Sequence, residues 1–199
     1  MNTKAKGDTF ENRVYDLILD SINRETFNVP VKNFKIYKNK KYLSKDQSFS
    51  ARIDISIESY RKGAEHPSLY IFIECKDYNS AVGIDKIKKF NADVVELRGI
   101  GLNAKGIFIT KSAVQEGLLN YARSNGIAVV RVMDDDTMDT IVERKEKNSL
   151  KDAATLAVIN VFNALTHENF VSTTGITYAF YKDKPFTRLT DLLKEITSG

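Results

Sequence analysis

Apolar and polar positions follow two different periods along this chain, and the switches between them mark its elements. Phe10, Val14, Leu17, Ile18 and Ile22 recur at helical spacing, so a helix is expected to open near residues 7–11, capped by Asp8 or Thr9. Residues 28–45 read as an irregular basic hairpin or strand pair. Strands are expected at about 49–58 and 68–76. Gly63 and Pro67 lie between them as turn residues, which makes an antiparallel pair the simplest arrangement. A helix follows over about 84–98, with Ile84, Ile87, Phe90 and Val94 inward and Gly99 and Gly101 as its stop. Residues 105–110 form a short apolar strand. Ser112 and Gln115 have capping-box spacing for a helix to Asn125, Gly126 ends that helix, and 127–132 is another apolar strand. Strand, helix and strand at this length imply a right-handed parallel crossover, hence a mixed sheet with helices on both faces. Further on, 149–166 reads as a helix with Leu156, Ile159 and Phe162 or Ala164 inward. Residues 170–181 have strand character, and 187–196 look helical.

Composition narrows the class. A chain of 199 residues makes one domain, or one domain with a modest extension, and 42% apolar residues suffice for a sizeable core. No run of 18 apolar residues suggests a membrane span, and the polar N-terminal residues lack the apolar stretch of a signal peptide, so a cytoplasmic protein is expected. A single cysteine excludes an intramolecular disulfide and the multi-cysteine zinc pattern. The formal charge of +4 favours a polyanionic partner only mildly. Its distribution says more: Lys32, Lys35, Lys38, Lys40, Lys41 and Lys45 fall in one acid-free stretch, interleaved with Phe34, Tyr37 and Tyr42. Lysines among aromatics suit phosphate contact and base packing, although a solvated basic edge strand has the same composition.

The chemistry concentrates in the two strands at 49–58 and 68–76. Glu74 and Lys76 project from one face of the second strand with Tyr70 and Phe72, while Ile71, Ile73 and Cys75 project from the other. Pairing the strands would bring Asp54 close to Glu74. Two carboxylates and the backbone carbonyl of Cys75 make a hard oxygen site suited to Mg²⁺. Lys76 beside them would position a water or stabilise charge developing on a phosphate. That set points to phosphodiester hydrolysis. The alternatives are ordinary ones. Glu74–Lys76 as an exposed salt bridge would contribute about 0–1 kcal/mol, Asp54 as an edge-strand or turn acid would do little, and Glu11 suits a helix's first turn. Cys75 reads as a buried core thiol. His66 and His167 lie near no motif. Asp134, Asp135, Asp136 and Asp139 form either a second metal cluster or a polar connector.

In order along the chain stand Gly7-x-x-Phe10-Glu11, Ile53-Asp54, Glu74-Cys75-Lys76, Val82-Gly83, Gly106-Ile107-Phe108-Ile109-Thr110, Tyr121-Ala122 and Gly126-Ile127. This series resembles the PD-(D/E)XK nuclease superfamily, and within it most closely the Mrr-like restriction endonuclease domain. Ile53 stands where the superfamily commonly has proline, and Glu74 where Mrr-like members often carry glutamine. The resemblance implies an α/β fold, a restriction-endonuclease-like αβββαβ core over 1–133, with a C-terminal α+β extension over 134–199 for dimerisation, sheet extension or substrate choice. It implies Mg²⁺-dependent hydrolysis of DNA, with Mn²⁺ able to substitute and RNA not excluded, by an endonuclease of restriction, defence or repair type. Asp54 and Glu74 become metal ligands with the Cys75 carbonyl, Lys76 becomes the catalytic lysine, and Glu11 reaches a metal-bound water or a second metal. Lys38, Lys40, Lys41, Tyr78 and Lys86 are candidate nucleic-acid contacts, as are Lys88 and Lys89, with a solvated helix face the alternative for Lys86, Lys88 and Lys89. Cleavage of both strands by this fold takes two sites, which implies a homodimer. A catalytically silent nucleic-acid-binding or assembly module of the same fold is the rival reading.

Overall fold

The computed structural model describes residues 3–24, 33–44, 48–134, 150–172 and 175–198. Its order is α1 (Thr3–Arg24), β1 (Phe34–Leu43), β2 (Ser50–Ser59), β3 (Leu69–Lys76), α2 (Ile84–Gly99), β4 (Ala104–Thr110), α3 (Glu116–Asn125) and β5 (Ile127–Val132). These are followed by α4 (Leu150–Thr166), β6 (Thr177–Tyr181), β7 (Lys184–Phe186) and α5 (Leu189–Ser198). The strands pair in chain order in one sheet. The β3–β4 and β4–β5 pairs are parallel and the other four are antiparallel, so the sheet is mixed, as the sequence pattern implies.

Two cores lie on opposite faces of that sheet. Helices α2, α3 and α4 pack on one face around Phe72, Phe108, Val129 and Tyr178. Helices α1 and α5 pack on the other around Ile55, Ile73, Ile109 and Val130. The central strands β4 and β5 are covered on both sides, which explains why nearly all their residues are buried and why 107–109 and 127–130 are apolar without a break. Gly106 lets α2 approach β4: a Cβ there would lie 3.1 Å from Cε1 of Phe90. Gly126 closes α3 in the left-handed region at φ 63°.

Several local expectations change. Helix α1 begins ahead of Asp8 and Thr9, at Thr3, so neither caps it. The capping box of α3 does not form: Ser112 donates to the Tyr78 carbonyl instead, and the helix starts behind Gln115 without a side-chain cap. The basic stretch contributes one long strand, β1, paired with β2. Its flanks 28–32 and 45 lie outside the described residues, as do Asp135, Asp136 and Asp139. Helix α4 buries Ala164, one of the two expected alternatives, but with Val161 and Leu165 beside it, whereas Leu156, Ile159 and Phe162 are exposed. This helix is apolar nearly all round, so periodicity could not choose its inner face. Strands β6 and β7 extend the sheet beyond β5, and α5 supplies Leu192, Leu193 and Ile196 to the α1 side.

Candidate active site at the fork between β2 and β3

Strands β2 and β3 are paired from Ser59↔Leu69 to Ile55↔Ile73 and part beyond that pair. Asp54 is the first residue past the parting. Its Oδ2 accepts the backbone N–H of Cys75 at 2.9 Å, filling the place of a β2 carbonyl that no longer reaches. On the outer side of β2, the register passes from Lys38↔Ile55 to Lys40↔Ile53. The intervening residue Asn39 has a left-handed backbone at φ 53°, uncommon within a strand. The inward face of β2 changes over at this same point. Ile55 and Ile57 join the core under α1, whereas Ile53 and Ala51 join the core under α2. A regular strand would put residues 53 and 55 on one face. Asp54 therefore sits where the strand rolls over and its neighbour peels away.

Strand β3 keeps regular alternation, so Phe72 belongs to one core and Ile71, Ile73 and Cys75 to the other, as expected. Glu74 and Lys76 continue the Phe72 face. The Lys76 ammonium pairs with Glu74 Oε1, lies 3.8 Å from Asp54 Oδ2, and donates to the Cys75 carbonyl at 3.2 Å. All three side chains are no more than a quarter exposed. Glu11 approaches from α1, where Asn39 Nδ2 donates weakly to its Oε2 at 3.5 Å.

The electrostatics record too many carboxylates for one ammonium. Burial and then the Asp54 charge raise the Glu74 pKa, against the opposing pull of Lys76. Burial and then Asp54 also raise that of Glu11. Burial would lower the Lys76 pKa, but Glu74 and Asp54 outweigh it and the ammonium is held above its ordinary value. The Cys75 thiol is pushed well up by burial, as suits an inert core residue.

Among the described residues, no three His, Cys, Asp or Glu side chains gather closely enough to hold a metal by themselves. What converges is the mixed set of two carboxylates and the Cys75 carbonyl. It already surrounds one positive charge, that of Lys76. The donor chemistry of hard oxygens around a stand-in cation fits a hard divalent cation.

The candidate nucleic-acid contacts are dispersed. Lys40 is tied to the buried carboxylate of Glu58 at 2.6 Å and lies over the rings of Tyr37 and Tyr42 at 3.8 and 5.3 Å. Tyr42 and Tyr60 also donate to Glu58, each at 2.8 Å. Burial pushes the Glu58 pKa up, and these donors more than reverse it. Lys38 reaches back to Asn12 and lies over Tyr15. Lys41 is exposed. Tyr78 lines a polar cleft of about 270 Å³ with Asn79, Lys111, Ser112 and Arg131, beside the end of β3. Lys86 stands 6.0 Å from the Tyr78 ring and pairs with Asp85. Sequence reasoning missed Asn39 and Glu58. An asparagine inside a lysine-rich strand gives no pattern to read. Glu58 ends an apolar run, and only the pairing of β1 with β2 gathers its partners.

The protein is thus of the mixed α/β class, a sheet flanked by helices on both faces with two carboxylates and a lysine at a strand fork. The chain belongs to the restriction endonuclease family (Mrr_cat), which matches residues 19–143. That span holds Asp54, Glu74 and Lys76 and begins after Glu11. Among solved structures, the chain is similar to the small subunit (R.BspD6I2) of the heterodimeric restriction endonuclease R.BspD6I. The identity is 17% and the TM-score 0.33, over 63% of this chain and 62% of that one. Comparison with curated proteins gives no match. No helix among the described residues is long and apolar enough to cross a membrane.

Proposed function

We propose that this protein is a Mg²⁺-dependent nuclease that hydrolyses DNA phosphodiester bonds, an endonuclease of restriction, defence or repair type. The observation that carries the reading is the convergence of Asp54, Glu74 and the Cys75 carbonyl on one positive charge, in a family of restriction endonucleases. Those three groups would hold Mg²⁺, which when bound neutralises phosphate charge and lowers the pKa of a water. The rest falls to the protein's own residues. Lys76 carries its proton at Nζ and presents it to the non-bridging phosphate oxygens as the water oxygen attacks phosphorus and a P–O ester bond breaks. Asp54, anchored by the Cys75 N–H, holds the fork open. Glu11, with its raised pKa, would take the proton of the attacking water, and the departing ester oxygen would take one from solvent. Tyr78 and Lys86 line the approach for the DNA backbone. A pair of copies would supply the two sites that a double-strand cut requires.

The test is direct. Purified protein is incubated with plasmid, linear, single-stranded and branched DNA in Mg²⁺, Mn²⁺ or EDTA, and its mass is read by light scattering. Metal-dependent cleavage is expected, with a loss of about a hundredfold or more in Asp54→Ala and Lys76→Ala. Cleavage that survives both substitutions unchanged, or none on any substrate, would sink the assignment. One feature favours the rival reading, a silent DNA-binding module: Lys76 already closes the donor set. DNA binding indifferent to metal and without turnover would select it.

A further inference from the structure

The Lys76 ammonium occupies the point at which the three proposed metal-binding oxygens meet. It touches Glu74 Oε1, donates to the Cys75 carbonyl at 3.2 Å and lies 3.8 Å from Asp54 Oδ2. A divalent cation bound to the same oxygens needs them at about 2.0–2.1 Å. It would then stand within van der Waals reach of Nζ, cation against cation, in a place only partly open to water. Two positive charges that close repel strongly, because the protein screens them far less than bulk water does. The ammonium and the metal therefore compete for the same oxygens.

We propose that Lys76 is an internal place-holder, which neutralises Asp54 and Glu74 before metal arrives and is driven out of the donor set by the incoming cation. The proposal rests on the metal-dependent nuclease reading and adds an order of events. Until metal binds, Lys76 is withheld from substrate. Once metal replaces it, its charge is released towards the cleft lined by Tyr78, Lys111 and Ser112, beside which β3 ends. A lysine has the reach for this, with four rotatable methylenes and no fixed hydrogen-bond geometry. The device keeps two buried carboxylates from facing each other uncompensated, and it keeps the phosphate-stabilising charge out of use while the metal is absent. Glu74 and Asp54 both face the same ammonium, so removing the lysine leaves both carboxylates to the metal.

Two measurements test this on the full-length protein. Mn²⁺ affinity is measured by calorimetry for the wild type and for Lys76→Met, and Mn²⁺-soaked wild-type crystals are examined by anomalous diffraction. About tenfold tighter Mn²⁺ binding is expected for Lys76→Met, since a competing charge is gone. In the wild-type crystal the manganese peak is expected among Asp54, Glu74 and the Cys75 carbonyl, with Nζ withdrawn. Equal or weaker binding by Lys76→Met, or manganese bound with Nζ still on Glu74, would overturn the place-holder and leave the nuclease reading standing. No manganese at the fork of the wild-type crystal, together with no Mn²⁺ binding by either protein in calorimetry, would overturn both. The crystal result is read on the wild type and holds even if Lys76→Met folds poorly.

Discussion

Asn39 is the residue on which the local geometry of the site turns. Its φ of 53° lies in a region that side chains enter at a cost, asparagine less than most. Its backbone stands opposite Asp54, and its amide reaches Glu11. Two substitutions separate these roles. Asn39→Gly keeps the left-handed backbone without the amide, whereas Asn39→Val forfeits both. Urea titrations are expected to place Asn39→Gly within about 1 kcal/mol of the wild type and to show a loss of about 1–3 kcal/mol for Asn39→Val. Equal stabilities would show that the left-handed turn is not what the fold requires. The meeting of Asp54, Glu74 and Lys76 was readable from the chain, because strand alternation puts Glu74 and Lys76 on one face and pairing of the two strands brings Asp54 beside them. Asn39 was not, because its value lies in a backbone angle that sequence pattern does not encode. Lys40 marks the opposite limit. Its stretch reads as a basic surface, yet this lysine is bound to a buried glutamate.

Among the elements, α4 shows what holds a helix whose own sequence does not choose an inner face. Arg131 of β5 donates to the carbonyls of Ala164 and His167, each at 2.7 Å, and to those of Glu168 and Lys111. A helix C-terminus leaves carbonyls unpaired and carries partial negative charge. One guanidinium satisfies several of them, and through β5 it fixes where α4 ends against the sheet. Arg131→Leu is expected to destabilise the protein by about 2–4 kcal/mol, because buried carbonyls lose their donors. Arg131→Lys should recover less than half of that, since a single ammonium lacks the planar fork. Chemical denaturation measures both, and a loss below about 1 kcal/mol for Arg131→Leu would refute the clamp. Strand β1 shows a second device at this scale. It is an edge strand, and exposed lysines such as Lys35, Lys38 and Lys41 discourage pairing with another sheet.

Over the whole molecule, residues beyond Met133 complete both cores. Val161, Ala164, Leu165 and Tyr178 lie on the α2 side, and Ala179, Tyr181, Leu189, Leu192, Leu193 and Ile196 on the α1 side. Each large apolar side chain re-exposed would cost about 1.5–3 kcal/mol, so their removal together exceeds the roughly 5–15 kcal/mol by which a domain is stable. A chain truncated after Met133 is therefore expected not to fold. Circular dichroism and amide dispersion in NMR would show it, and a cooperative thermal transition in that fragment would contradict the expectation. Proximity in sequence groups 134–199 as a separate piece; packing makes it part of the same sheet.

Read alone, the chain determined the periods of its elements, the antiparallel β2–β3 and parallel β4–β5 pairs, the alternation of β3 and the meeting of Asp54, Glu74 and Lys76. These follow from local rules: side-chain direction in helices and strands, turn residues, and the cost of placing charge among apolar neighbours. Tertiary structure alone decided the rest. It chose the inner face of α4, gave Lys40 to Glu58, reversed β2 at Asp54 and set the Lys76 ammonium among three oxygens. Each of those depends on which distant groups meet across a strand pair or a layer boundary, and pairing at long range leaves no period in the sequence.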